Sequence, residues 1–586
     1  MAWVPAISFA EADKIICAPG TNLEIETRVI SGRVQRVYKN LWPSCRAFFL
    51  WATNEHGDKP SVVFENKRYT FRDMLGQATR CAAVFRDVYG IKKGDRVAIC
   101  CRNYPQLLIS FWACHLLGAV SALVNAWLPL EPLKHCLLKT GCKLAVVDAE
   151  RAQLFEPIVS QLATDAGAIR FIVVECHEGK GRWTSMENWD EVMDAYRGDP
   201  SYIIKEDPGI LPEDNAIIIF TSGTTGLPKG VLSTQRMLLT VLLNSMVSAL
   251  RGVLRRGEPM PTAPPPNPKG LLLPTPLFHI TGTIVTIFTT MYGLKMVLMR
   301  KWVIEDAAKL IRSEDIGGVA GVPSLAHDLA GSSLANYPLE TVMLGGGPAH
   351  ESLVDRTRKA FPNAVVSQAY GLTESNATAV TFSAEDYYAR SKSCGVPLPG
   401  NDILIMNSAT ETHVFSGEVG EIWIRGPTVM KEYWDEPEAT NKVLTKDGWL
   451  KTGDLGYQDE EGFLYIKDRQ KDIIIRGGEN IDSVTVENAL YTEPAVFEAA
   501  AVGIPDIRLG ELVAAVVTLN PAVRSKMTEK EFIATASKSL PRFAVPVMVL
   551  VQDKPFDRTP SGKIIKVGLR KVAAEEWAKR VPSSKM

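Results

Sequence analysis

Residues 221–230 read TSGTTGLPKG, a stretch whose residue types suit a phosphate ligand. Gly223, Gly226 and Gly230 let backbone amides point inward, the hydroxyls of Thr221, Ser222, Thr224 and Thr225 add donors, and Lys229 adds a positive charge. Such a loop suits a polyphosphate. It differs from the G-x-x-x-x-G-K-[ST] loop of P-loop nucleotidases, because Lys229 follows Leu227 and Pro228 and no Ser or Thr comes next to hold magnesium. A mobile Gly/Ser/Thr linker would have a similar composition, but not this setting. The apolar run DNAIIIF precedes the loop and a long apolar-periodic run, Met237 to Leu250, follows it, so the order strand, glycine-rich loop, helix is expected.

The elements that must position this loop follow from the alternation of short apolar runs with helix-patterned segments. Arg96 to Cys100, Ala119 to Val124, Leu144 to Val147, Ile169 to Val174 and Ala216 to Phe220 read as buried strands, which predicts an α/β body of parallel sheets covered by helices. Asn103 to Leu130 and Leu271 to Leu294 lack Asp, Glu, Lys and Arg and are long enough to cross a membrane. Pro105, Gly118 and Pro129 divide the first into a helix (Gln106 to Leu117) and a strand (Ala119 to Val124), while Pro274, Pro276, His279 and Gly282 interrupt the second. Buried segments are therefore expected, with no transmembrane segment. From about Glu418 the texture changes to short strands with turns (EIWIRG, GFLYIKD), a small β-rich subdomain. After Asp468 a compact run of helices and strands has the size of its own α+β domain. The expected division is an N-terminal domain, 1–467, of several subdomains, and a smaller C-terminal domain, 468–586.

With 65 basic and 66 acidic residues the net charge is -1, so no electrostatic footprint for nucleic acid or an anionic membrane is present. The ten cysteines include no C-x-x-C pair, which argues against zinc and for reduced thiols in an intracellular protein. The start, MAWVPAISFAEADK, does not read as a secretory signal. The Pro-rich stretch Glu258 to Lys269 reads as an exposed loop.

TSGTTGLPKG resembles the signature loop of the adenylate-forming superfamily, which includes acyl-CoA and aryl-CoA synthetases, adenylation domains and beetle luciferases. Further matches follow in the family's order: PLFHITG (276–282), GGGPA (345–349), YGLTES (370–375), TGDLGYQD (452–459), KDRQKDIIIRGGENI (467–481) and PSGKI (560–564). The resemblance implies ATP, Mg2+ and CoA as cofactors and an adenylation in which a carboxylate attacks the α-phosphorus while pyrophosphate leaves. It places Lys229 and its loop on the leaving phosphates, magnesium on Glu374, and Lys563 across the carboxylate and α-phosphate. Tyr370 stacks on adenine, Thr373 reaches the α-phosphate, and Gly345, Gly346 and Gly347 let backbone approach the base. Asp454, in a turn-like setting, and Arg469 hold the ribose, and His279 helps to seat the acid. The same resemblance makes the C-terminal domain mobile about a hinge at Asp468, with Lys471, Gly477 and Gly478 on the thiol-entry side. After GGEN, the sequence IDSVTVEN departs from the family's usual proline-containing version, which bears on Asn480.

The segment HITGTIVTIF carries no acidic residue to pair with a substrate ammonium, so an uncharged acid is expected, with Thr281, Gly282, Val285 and Phe288 around it. The reading is an ATP-dependent acid:CoA ligase for a medium- or long-chain fatty acid; an aryl-acid ligase of the 4-coumarate type, a luciferase-like oxygenase and an acid-uptake protein are the alternatives. A soluble thiol such as CoA is the simpler acceptor, because only 23 residues follow Lys563. Ser584-Lys585-Met586 resembles the S-K-L peroxisomal address, which implies a peroxisomal import receptor as partner and a peroxisomal location, otherwise a cytoplasmic one.

Overall fold

The computed structural model describes residues 3–165, 169–221, 227–261, 268–347, 351–469, 472–477, 479–520, 527–559 and 562–580. Ser584-Lys585-Met586 lies outside them. The chain forms two compact units: residues 1–403 with 424–450, and residues 404–423 with 451–586. That division falls within the β-rich region, ahead of Asp468.

In the first unit, an eight-stranded sheet runs in the order Glu432–Tyr433, Lys229–Thr234, Asn215–Thr221, Val120–Leu123, Arg96–Cys100, Leu144–Asp148, Arg170–Val174, Glu187–Asn188. From Asn215–Thr221 onward every neighbouring pair is parallel. The five strands expected from apolar runs are all here, with ends displaced by at most one residue. Parallel strands covered on both faces bury every side chain, which is why Leu144–Asp148 is continuously apolar up to its final aspartate. The charge-free stretch after Asn103 becomes a helix, Pro105–Leu117, buried at every residue and ended by Gly118 in the left-handed region at φ 71°.

One expectation is corrected. The glycine-rich loop leads into a second strand, Lys229–Thr234, which folds back antiparallel on Asn215–Thr221, and only then into the helix Gln235–Arg255. Val231 and Leu232 are buried and paired between Asn215–Thr221 and Glu432–Tyr433, so this six-residue run is part of the sheet before Thr234 caps the helix. Among the described residues this helix is the one long and apolar enough to cross a membrane, rather than either charge-free stretch. Half of its most apolar window is buried inside the protein. Near its end Arg251 pairs with Asp13 and Arg255 with Asp386, each at 2.6 Å.

A nine-stranded sheet completes this unit, with Val365–Tyr370, Thr341–Gly345, Ile316–Gly321 and Gly270–Leu273 adjacent and parallel at its centre. The β-rich region is a five-stranded sheet that starts at Asp402, earlier than expected, and includes Leu450–Gln458 paired with Leu464–Arg469. In the second unit Val496–Asp506 and Gly510–Leu519 form a long hairpin, flanked by Ile474–Arg476 with Glu479–Ile481 and by Met548–Val551. Helices Ser483–Tyr491, Glu529–Ser537 and Lys566–Arg580 contribute Leu490, Phe532 and Leu569 to its core. All ten cysteines are free, and nine are buried.

Candidate active site

In open parallel sheets the carboxyl ends of the strands are where ligands bind, because helix starts and loop amides converge there. Thr221 ends one such strand, Gly345 and Tyr370 end two others, and Gly345 is in register with Ala369. Thr221, Gly345 and Tyr370, each in one of the motifs picked from the sequence, are therefore placed at carboxyl edges by topology.

Lys229 and Thr221 face each other across the hairpin mouth, where Thr221 Oγ1 donates to the Lys229 carbonyl at 3.4 Å. Ser222, Gly223, Thr224, Thr225 and Gly226 lie outside the described residues. Gly230 is required by packing: a Cβ there would press on Ile218, Phe220 and Trp434. The Lys229 ammonium stands 5.2 Å from the ring centroid of Tyr433.

Glu374 sits in a short 3-10 turn, Thr373–Ser375, just beyond Tyr370. The turn is tightly wound, since a Cβ at Gly371 would overlap the Ala377 carbonyl and Asn376 is held in the left-handed region at φ 52°. The segment 428–434 is laid along it. Met430 N donates to the Glu374 carbonyl at 2.7 Å, Asn376 Nδ2 donates to the Thr428 carbonyl at 2.8 Å, and the Tyr433 hydroxyl donates to Glu374 Oε1 at 2.8 Å. Further on, the same segment joins the hairpin, with Lys431 N on the Leu232 carbonyl and Trp434 N on the Gly230 carbonyl. Burial, with Glu374 beside it, pushes the Tyr433 phenol up, so it remains a donor. Lys229, Tyr433 and Glu374 thus form one cluster that ties the Asn215–Thr234 hairpin to the acidic turn. Sequence reasoning missed Tyr433, whose signal is only an aromatic pair, Tyr433-Trp434, in a polar stretch.

The residues present fit a nucleotide. A Cβ at Gly345 or Gly347 would meet only ordinary contacts, at 3.6 and 4.0 Å, so packing does not require glycine there and the backbone is left bare. Gly346 needs its glycine for φ 78°. Gln368, also unnoticed in the sequence, donates from Nε2 to the Gly347 carbonyl at 3.2 Å and holds this run in place. Tyr370 is buried.

His279 caps the helix Ile280–Tyr292, its Nδ1 accepting from Thr281 N at 3.3 Å, which leaves the ring proton on Nε2. The expected lining is partly revised. A Cβ at Gly282 would run into the Pro276 carbonyl, so this glycine serves backbone packing, and Val285 is buried. Thr281 and Phe288 share the half-buried face with Ile284 and Tyr292. The Phe288 and Tyr292 rings lie 4.7 Å apart.

In the second unit Asp454 and Arg469 are cross-strand partners, with Arg469 Nε 3.2 Å from Asp454 Oδ1. Asp454 lies within the strand Leu450–Gln458 rather than in a turn, its departure from regular geometry confined to Gly453 at φ 70° and a register shift after Leu455. Gly477 occupies the tight turn between Ile474–Arg476 and Glu479–Ile481 at φ 61°; Lys471 and Gly478 lie outside the described residues. Asp468 is buried and accepts from Ser483 N at 2.5 Å and Arg469 N at 2.7 Å. Burial pushes its carboxyl up, against the pull of Lys566, which is itself paired with Glu487 at 2.7 Å.

Lys563 is half-buried in a loop closed on itself: Lys563 N donates to Thr559 Oγ1 at 3.1 Å and Thr559 N to the Lys563 carbonyl at 2.7 Å. Arg558 braces it, donating to the Gly562 carbonyl at 2.5 Å and pairing with the buried Glu498. Arg558 has no motif of its own and was not singled out from the sequence.

Residues 49–434 match the AMP-binding enzyme family and residues 485–563 the AMP-binding enzyme C-terminal domain. A 2-succinylbenzoate–CoA ligase of Bacillus velezensis is 32% identical over 524 residues, covering 89% of this chain and 96% of that protein. The long-chain-fatty-acid–CoA ligase FadD13 of Mycobacterium tuberculosis is 31% identical over 521 residues, covering 88% and 94%. The solved O-succinylbenzoate–CoA synthetase of Bacillus subtilis, in complex with ATP and magnesium ion, superposes with a TM-score of 0.70 at 26% identity, covering 91% and 99%. The chain belongs to the adenylate-forming AMP-binding enzymes and is an acid–CoA ligase that works with ATP, magnesium and CoA.

Proposed function

We propose that this ligase activates an apolar carboxylic acid, a medium- or long-chain fatty acid before others, as its acyl-adenylate and then transfers the acyl group to CoA. The observation that carries this reading is the helix after His279: from Ile280 to Tyr292 it has no charged residue, and its half-buried face is Thr281, Ile284, Phe288 and Tyr292. A substrate ammonium would have no counter-charge on that face, whereas a hydrocarbon chain loses nothing there. The neighbouring rings of Phe288 and Tyr292 favour an aryl acid as the second reading.

In the first half-reaction Lys229 and the 221–230 loop draw charge toward the leaving pyrophosphate, and Lys563 bridges the attacking carboxylate and the α-phosphate. Glu374 would hold magnesium, and the ion would supply charge neutralisation at the phosphates. Thr373 steadies the α-phosphate, Gly345 to Gly347 and Tyr370 seat the base, and Asp454 with Arg469 takes the ribose. Asp468 is the hinge between the two half-reactions, and Lys471, Gly477 and Gly478 serve thiol entry.

Acid-dependent exchange of labelled pyrophosphate into ATP, run over a panel of fatty, aryl and amino acids and followed by CoA-dependent AMP release, tests this reading. Medium- or long-chain acids are expected to support the fastest exchange. Lys563→Ala is expected to slow it about 100-fold or more, the scale of losing a preorganised charge. Near-normal exchange in that variant, or a preference for amino acids, would overturn it.

A further inference from the structure

We propose that Trp127 is a specificity-determining residue of this ligase, an apolar wall against which the body of the acid rests. The inference depends on the reading that the acid is apolar. Trp127 is 46% exposed. Its loop leaves the carboxyl end of Val120–Leu123, the strand that runs parallel beside Asn215–Thr221, so it emerges on the same edge of the sheet as Thr221 and the phosphate loop. The indole meets Phe278, the residue before His279, edge to face with ring centroids 6.2 Å apart. Trp127 therefore stands between the phosphate edge and the start of the uncharged helix.

Both loops that meet here are tied down from beneath. Trp127 N donates to Asn125 Oδ1 at 3.0 Å, and the Ala126 carbonyl accepts from Arg151 Nη1 at 2.6 Å. Arg151 is fully buried and paired with Asp148 at 2.8 Å, so the carbonyl is gripped by a residue with no freedom of its own. Across the contact, the buried Asn103 accepts from Leu277 N at 2.8 Å and donates to the Thr275 carbonyl at 3.1 Å. The backbone that carries the indole is thus held in place, and Phe278 supports the ring from one side. A rigid, flat, half-dry aromatic surface contributes contact with an apolar ligand at little cost in conformational entropy.

Trp127→Ala and Trp127→Phe in the full chain test this by pyrophosphate exchange, with KM taken for ATP and for acids of increasing apolar size from acetate upward. The alanine variant is expected to raise the KM of the best apolar acid about tenfold, a loss of contact area of this kind. ATP KM should stay within about twofold, acetate should be affected least, and Trp127→Phe should recover most of the affinity. An unchanged acid KM, or acid and ATP KM rising together, would overturn the role of Trp127 while leaving the substrate reading standing. Failure of the wild-type enzyme to use any apolar acid, judged before any variant is made, would overturn the substrate reading and this inference with it.

Discussion

The hydroxyl of Tyr433 donates to Glu374 Oε1 at 2.8 Å, and the ring that carries it lies 5.2 Å from the Lys229 ammonium. One side chain thus touches both the acidic and the cationic member of the proposed nucleotide site. Tyr433→Phe keeps the ring and its packing but frees the carboxylate. A hydrogen bond to a charged group contributes about 1.5–3 kcal/mol, so pyrophosphate exchange should slow by about 10- to 100-fold if Glu374 must be held in one orientation. The magnesium concentration for half-maximal exchange should rise as well. An exchange rate and a magnesium requirement both equal to wild type would remove Tyr433 from the machinery.

Arg558 offers a separate handle on Lys563. Its guanidinium closes the loop through the Gly562 carbonyl and pairs with buried Glu498, which also accepts from Thr518 Oγ1 at 3.3 Å. Arg558→Ala strands a buried carboxylate, a change that costs about 3–5 kcal/mol, so the second unit should melt earlier. Arg558→Met combined with Glu498→Gln removes both charges and should recover most of that stability. Exchange should stay depressed in the double variant, because the loop has lost its brace. Recovery of both properties together would show that Arg558 matters to the fold alone.

The contrast between these residues and the motifs explains what could be read in advance. The parallel strands were legible because burial on both faces forces continuous apolar runs, as in Leu144–Asp148. Glycines and hydroxyls around a phosphate are likewise local in sequence. Lys229–Thr234 was missed as a strand because six residues between a loop and a helix carry too short a period to separate from either. Tyr433 and Arg558 were invisible for another reason. Each acts on a partner 59 or 60 residues away, and only the folded chain brings such partners together. Gly282 was read as space for substrate, whereas the space is filled by the backbone of Pro276 and Leu277.

His115 predicts how stability depends on pH. It is fully buried in the helix Pro105–Leu117 against Phe111 and Trp112, and burial lowers its pKa from 6.5 to about 3. The unfolded chain takes up this proton near pH 6.5 while the folded one refuses it, so stability is present above that pH and is lost as pH falls toward 3. At pH 5 the loss from this residue alone is about 2 kcal/mol, one and a half decades at about 1.36 kcal/mol each. In denaturant titrations His115→Leu should narrow the stability difference between pH 7.5 and pH 5 by about that amount. An unchanged difference would mean that the imidazole is protonated within the fold.

Asp454 and Arg469 lend themselves to a cycle on the nucleotide. If the carboxylate takes the ribose hydroxyls while Arg469, 3.2 Å away, holds it in place, then 2′-deoxy-ATP should be the poorer substrate for the wild-type enzyme, with a KM about tenfold higher. Asp454→Ala should raise the KM for ATP by a similar factor and erase the discrimination, since the deoxy nucleotide has already lost what the variant removes. Arg469→Lys keeps a charge but not the fixed geometry of a guanidinium and should fall between the two. The decisive quantity is the coupling between the hydroxyl and the carboxylate. If the two losses simply multiply, Asp454 and the ribose do not touch, and the pair with Arg469 is a strut of the sheet.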